Sequence, residues 1–163
     1  MKIFVSRRWA IFFMACLLFV LSQFYRASIA VITPDLIADL GLDVNDLSLI
    51  SASFFYAFAV MQIPISMYLD AIGPRIAMTA LSLLGVAGAL VFAWGDTVGS
   101  LVAGRLLLGA GTACSLMGTL KLITLWFGPL RFATISALVV PFGTLGNMTA
   151  ATPLVLMVQS VGW

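Results

Sequence analysis

Residues 62–75 read QIPISMYLDAIGPR, and this stretch decides the fold. An apolar run stops at Asp70, and Gly73, Pro74 and Arg75 follow before the chain turns apolar again. Glycine tolerates the left-handed backbone that closes a helix. Proline suits the first turn of the next helix, where its missing N–H has no partner to lose. The segment from Asp70 to Pro74 is therefore a tight reversal between two antiparallel helices, one over about residues 44–69 and one over about 76–94.

Composition says where such helices live. The 163 residues are 63% hydrophobic and 9% charged, with eight Lys or Arg, six Asp, no Glu and no His. The mean hydropathy is +1.17. A soluble domain carries roughly 25% charged residues, so this chain cannot cover a water-facing surface and belongs in a lipid bilayer. Eight scattered bases make no nucleic-acid patch, and two cysteines make no disulfide scaffold.

A helix crossing the hydrocarbon layer needs about 20 apolar residues. Read outward from the central turn, the sequence supplies five spans, over about residues 9–32, 44–69, 76–94, 98–127 and 132–155. The start of span one has the basic and apolar regions of a signal peptide, but Arg26 stands just before the cleavage-like site and further spans follow, so retention is expected. Residues 33–46 carry four acids and no base, with Gly41 as a helix stop. Asp43 is placed to cap span two, and Asp46 lies in its first turn. Gly95 with Asp96, and Gly128 with Pro129, make the later reversals. Pro64 in span two and Pro141 in span five should bend their helices.

Lys2, Arg7, Arg8, Arg75 and Arg131 fall on one side of this arrangement, and the other side has no loop base. The positive-inside rule then puts the amino terminus in the cytoplasm and the carboxyl end outside. The membrane expected is a bacterial inner (plasma) membrane.

Three ionisable side chains remain inside spans: Arg26, Arg105 and Lys121. Charges at such depth are costly and usually face a cavity or a partner. Arg26 lies six residues before the outer end of span one and Arg105 seven residues into span four, so at about 1.5 Å per residue both sit about 10 Å from the same surface. Two level guanidinium groups with no carboxylate in the spans suggest an anion site; the alternative is that each bonds backbone carbonyls of a broken helix. Lys121, near the cytoplasmic end of span four, reads equally well as a snorkelling anchor.

These residues carry a resemblance to the major facilitator superfamily, specifically to its amino-terminal half. The loop between spans two and three in that family reads roughly GxLxDRxGxR; here Asp70, Gly73 and Arg75 match, while Ser66 and Ala71 depart from it. The RxxxGxG pattern of span four is present in full as Arg105, Gly109 and Gly111, with the glycines also serving as small helix-packing residues. The closing VGW resembles the family's junction between spans five and six. FYRASIAV and QIPISMYLD look like the anion:cation symporter branch, in which sialin-like and sugar-acid permeases fall. The resemblance implies an all-α membrane protein whose five transmembrane helices form most of one six-helix bundle of the major facilitator fold.

It further implies alternating access about a midplane site, with Arg26 and Arg105 binding a small-molecule anion and the turn of Asp70, Gly73 and Arg75 acting as a conformational latch on the opposite bundle. Tyr25 and Thr112 stand where that branch often places acids, so those positions give proton coupling no support. The expected partners are the lipid bilayer, the missing carboxyl-terminal six-helix half and the anionic cargo. The chain is expected to be a fragment or truncated frame that does not transport alone. Half of a split carrier, or an interaction protein that kept the scaffold, is the alternative. No cofactor, metal or catalytic residue is expected: His is absent, Cys16 and Cys114 lie inside spans, and Gly109-Ala110-Gly111 lacks the third glycine of a dinucleotide loop.

Overall fold

Gly41, Gly73 and Gly128 carry positive φ angles of 61°, 82° and 74°, and each falls where one apolar helix ends and the next begins. The computed structural model describes residues 2–161, with side chains for residues 7–158 and 160. The side chain of Lys2, and Gly162 and Trp163 of the closing VGW, lie outside the described residues. Every described element is an α-helix: α1 Lys2–Leu40, α2 Val44–Ala71, α3 Pro74–Ala93, α4 Val98–Thr112, α5 Cys114–Phe127, α6 Pro129–Ala137 and α7 Val139–Val161. They form five segments long and apolar enough to cross a membrane.

The turn that organises the sequence is as expected. Gly73 precedes α3, Pro74 occupies its first position, and the Ile72 N–H donates to the Tyr68 carbonyl at 3.0 Å to close α2. The start of α2 also follows the sequence: the Asp43 N–H donates to Asp46 Oδ2 at 3.2 Å, and Asn45 Nδ2 donates to Asp43 Oδ2 at 3.0 Å. The first bond satisfies a backbone donor at the helix start that has no intrahelical partner, and the second ties the Asn45 side chain to the capping residue.

The helix stop expected at Gly41 is where α1 ends, but span one runs further than expected. Instead of ending near residue 32, α1 continues through Pro34 to Leu40. Proline removes one backbone bond, yet the helix beyond it is held by burial. Leu36 is fully buried in a cluster with Ile50, Phe54 and Leu101, and a loop could not keep that side chain in register. Pro64 likewise lies within a continuous α2.

Spans four and five are each broken at a single residue. At Ala113 the N–H reaches the Ala110 carbonyl at 3.4 Å, a tight three-residue turn. The Thr112 carbonyl beside it accepts from Ser115 Oγ at 2.7 Å and from Ser22 Oγ of α1 at 3.4 Å, so side chains replace part of the helical ladder. At Leu138 the N–H turns to the Ile135 carbonyl at 3.1 Å. Pro141, three residues on, lacks the N–H that would have bonded the Ala137 carbonyl.

Glycines set how closely the helices approach. A Cβ added at Gly88 would stand 2.6 Å from the Leu108 amide nitrogen, and one at Gly104 would stand 2.7 Å from that of Phe92, so α3 and α4 run backbone against backbone. Gly111 extends this seam to Gly85, while Gly109 abuts the Phe54 carbonyl of α2 and Gly146 the Val20 carbonyl of α1. Span four is consequently the central rod, with 50% of its apolar window buried against 22–33% in the others. The outer faces carry large apolar side chains such as Tyr56, Ile63 and Leu130, which suits a hydrocarbon surround.

Candidate functional site

Arg105 enters the bundle interior from α4 because the small residues around it let α1, α2 and α3 close over its side chain. It is 1% exposed. Its Nη1 donates to the Tyr25 carbonyl of α1 at 2.9 Å, an oxygen that also accepts from Ser28 Oγ at 3.0 Å. The guanidinium carbon lies 4.8 Å from the Phe54 ring centre and 6.0 Å from that of Phe92, within cation–π range. Nε and Nη2 have no hydrogen-bond partner among the described residues.

Arg26, the residue after Tyr25, is partly exposed. Its guanidinium carbon sits 4.6 Å over Phe58 and 5.9 Å over Phe55, and its Nε is buried without a hydrogen bond among the described residues. Phe54 and Phe58 stack at 6.3 Å with an interplanar angle of 17°. The two guanidinium groups thus bracket one aromatic pair on α2, in the order Arg26, Phe58, Phe54, Arg105. Neither has an ion-pair partner among the described residues. Their levelness is visible in the bond from Arg105 to Tyr25, although one group lies inside the bundle and the other at its margin.

The aromatic partners are not evident from sequence, where phenylalanines read as lipid-facing or packing residues. Gln62 is also missed: its Oε1 is buried and has no partner among the described residues, one turn beyond Phe58. The spacing of Phe55, Phe58 and Gln62 is the signal that places them on one helical face. Thr112, where the resemblance would place an acid, is buried and bonds its Oγ1 to the Leu108 carbonyl at 2.8 Å.

At the other end of α2, Lys121 Nζ of α5 donates to Asp70 Oδ1 at 2.6 Å, with the side chains 39% and 71% exposed. Lys121 therefore has a specific partner beyond the anchoring that its position suggests. Arg75 is exposed on the first turn of α3. Gly73 makes the bend between Asp70 and Arg75, whereas Gly109 and Gly111 do their packing in the middle of the bundle.

Five membrane-spanning segments with level arginines, a glycine-seamed central span and a charged turn between spans two and three define a helical, multi-pass membrane bundle. The chain belongs to the Major Facilitator Superfamily, whose family model matches residues 11–163. It is an integral, multi-pass membrane protein. It is 26% identical over 160 residues to the uncharacterized transporter YybO of Bacillus subtilis, covering 96% of this chain and 36% of that protein. It is 30% identical over 118 residues to the nitrate/nitrite transporter NrtP of a Picosynechococcus species, covering 72% of this chain and 22% of that protein. The chain thus spans about a third or less of the length of these curated relatives. No solved structure matches it.

Proposed function

We propose that the chain is the amino-terminal part of a secondary carrier that moves a small organic anion by alternating access, and that it does not transport without a second bundle. The observation that carries this reading is the pair of guanidinium groups around Phe54 and Phe58, neither balanced by a carboxylate. In a low-dielectric site an unbalanced positive charge favours a negative guest. Arg26, at the bundle margin, contacts the anion; Arg105 contributes field from behind and holds α1 through Tyr25. Support comes from a relative named for nitrate and nitrite, both anions, and from the likeness of spans one and two to the anion:cation symporter branch. Asp70, Gly73 and Arg75 form the latch, with Lys121 holding the carboxylate of Asp70 when the opposing bundle does not. The run of basic residues 7, 8, 75 and 131 supports a cytoplasmic amino terminus, and a bacterial inner membrane is the proposed location.

Binding of carboxylates and phosphates to the full gene product tests the site. Arg26→Leu is expected to weaken the best-bound anion by about tenfold or more, the scale of one lost charge-assisted contact. Unchanged affinity for every anion in both Arg26→Leu and Arg105→Met overturns the reading. Anion uptake by vesicles holding only this chain overturns the need for a second bundle.

A further inference from the structure

Rings rather than a counter-ion hold the Arg26 guanidinium. Its carbon lies 4.6 Å from the Phe58 ring centre and 5.9 Å from that of Phe55, and no carboxylate pairs with it among the described residues. The closer ring is braced from behind. Phe54, one turn away on α2, stacks on Phe58 with centroids 6.3 Å apart and an interplanar angle of 17°. Phe54 is itself fully buried, in the cluster that holds Leu36, Ile50 and Leu101, and Phe58 packs against that cluster. A ring fixed by the core therefore supports a charged side chain that is partly exposed.

A ring and a carboxylate hold a guanidinium in different ways. A carboxylate takes up N–H donors and cancels the charge. An aromatic ring attracts the cation through its negatively polarised face, so the charge survives and the in-plane N–H donors are not spent. The ring also keeps water from the side it covers, which leaves the attraction for an ion at the open edge less screened. Arginine stands on a long flexible stem, and a guest that captures it must normally freeze that stem. Contact with Phe58 orders the stem before the guest arrives. Phe55 contributes less, because its ring centre is near the outer limit of about 6 Å for such contacts.

We propose that Phe58 is a positioning residue of the anion site: its ring orients the Arg26 guanidinium with the N–H edge free for the guest, and Phe54 fixes the ring. The assignment rests on Arg26 contacting the cargo anion and adds what holds Arg26 ready. Phe58 acts through Arg26 and makes no bond to the anion.

The test places mono-, di- and trifluorinated phenylalanine at position 58 of the full gene product. Each fluorine withdraws electron density from the ring face while the ring keeps nearly its size, so packing is retained. Nitrate, lactate and inorganic phosphate are the probes, and the best-bound of them is titrated. Its dissociation constant is expected to rise stepwise with each fluorine, to about threefold for the trifluorinated ring, the scale of a weakened cation–π contact. In an Arg26→Leu background the same series is expected to be flat. A ring that served only packing would give no graded trend in either background. A flat series beside an Arg26→Leu variant that still weakens binding overturns the positioning role and keeps the anion site. A graded series that persists in Arg26→Leu overturns it too, by showing that the ring meets the guest directly. Unchanged affinity for all three probes in Arg26→Leu, or no binding of any of them to the wild type, removes the anion site and the positioning role together.

Discussion

Arg105 Nη1 and the Tyr25 carbonyl are joined at 2.9 Å across 80 positions of sequence, tying span four to span one beside Arg26. Among the described residues the guanidinium also lies against Phe54 and Phe92, while its Nε and Nη2 are buried with no hydrogen-bond partner there. A charge-assisted bond and cation–π contact contribute about 2–4 kcal/mol, and burying an unpaired charge costs several kcal/mol. The opposing effects nearly cancel. Arg105→Met, which keeps the length and removes the charge, is therefore expected to change bundle stability by no more than about 2 kcal/mol while weakening anion binding. Thermal unfolding and anion titration of the same variant separate the two. A large loss of stability with unchanged binding would assign Arg105 to the scaffold alone.

Glycine substitutions in α4 should sort by what a Cβ meets. Gly109→Ala drives a methyl into the Phe54 carbonyl and Gly111→Ala into the α3 backbone at Gly85, and neither neighbour is a flexible side-chain tip. Each is expected to cost about 1–3 kcal/mol by forcing helices apart. Gly99→Ala, with nothing within 4 Å, is expected to be neutral or to stabilise by up to about 1 kcal/mol through helix propensity. Unfolding of the three variants under one condition checks the order. Equal effects at all three positions would mean that the seam is looser than the structure shows.

The pair of Asp70 and Lys121 is short but wet, with side chains 71% and 39% exposed. Water and salt screen such pairs, so a double-mutant cycle with Asp70→Asn and Lys121→Met should return a coupling of about 1 kcal/mol or less, shrinking as salt rises. If the turn is a latch, Asp70→Asn should alter transport by the full gene product far more than it alters stability. Equal, small effects on both would make Asp70 an ordinary surface acid.

What sequence could and could not show follows from the range of the forces involved. The reversal at Gly73 and Pro74, and the start of α2 at Asp43 and Asp46, were legible because they depend on backbone preferences within a few residues. The passage of α1 through Pro34 was not, because the burial of Leu36 against residues of α2 and α4 decides it. Nor were the breaks at Ala113 and Leu138. The first is favoured by Ser22, 90 positions away, and the second is set by Pro141, which sequence read as a bend without locating the interruption. The arginines were found by rarity in an apolar chain, but their stacking on Phe54 and Phe58 was hidden, since one phenylalanine among twelve looks like another until helices α1 and α2 meet.

Orientation gives the last prediction. Leu130, 99% exposed at the start of α6, and Ala71 at the end of α2 lie at turns on the side of the bundle with Arg75 and Arg131, whereas Asp96 lies at the opposite turns. Cysteines at residues 71 and 130 are expected to resist an impermeant thiol reagent applied to intact cells and to react once the membrane is opened. A cysteine at residue 96 is expected to react in both cases. Cys16 and Cys114 are buried and contribute little background. The physical basis is the cost of carrying Arg75 and Arg131 across the membrane during insertion. External labelling at residues 71 and 130 with protection at 96 would invert the protein and put the paired carboxylate of Asp70 outside.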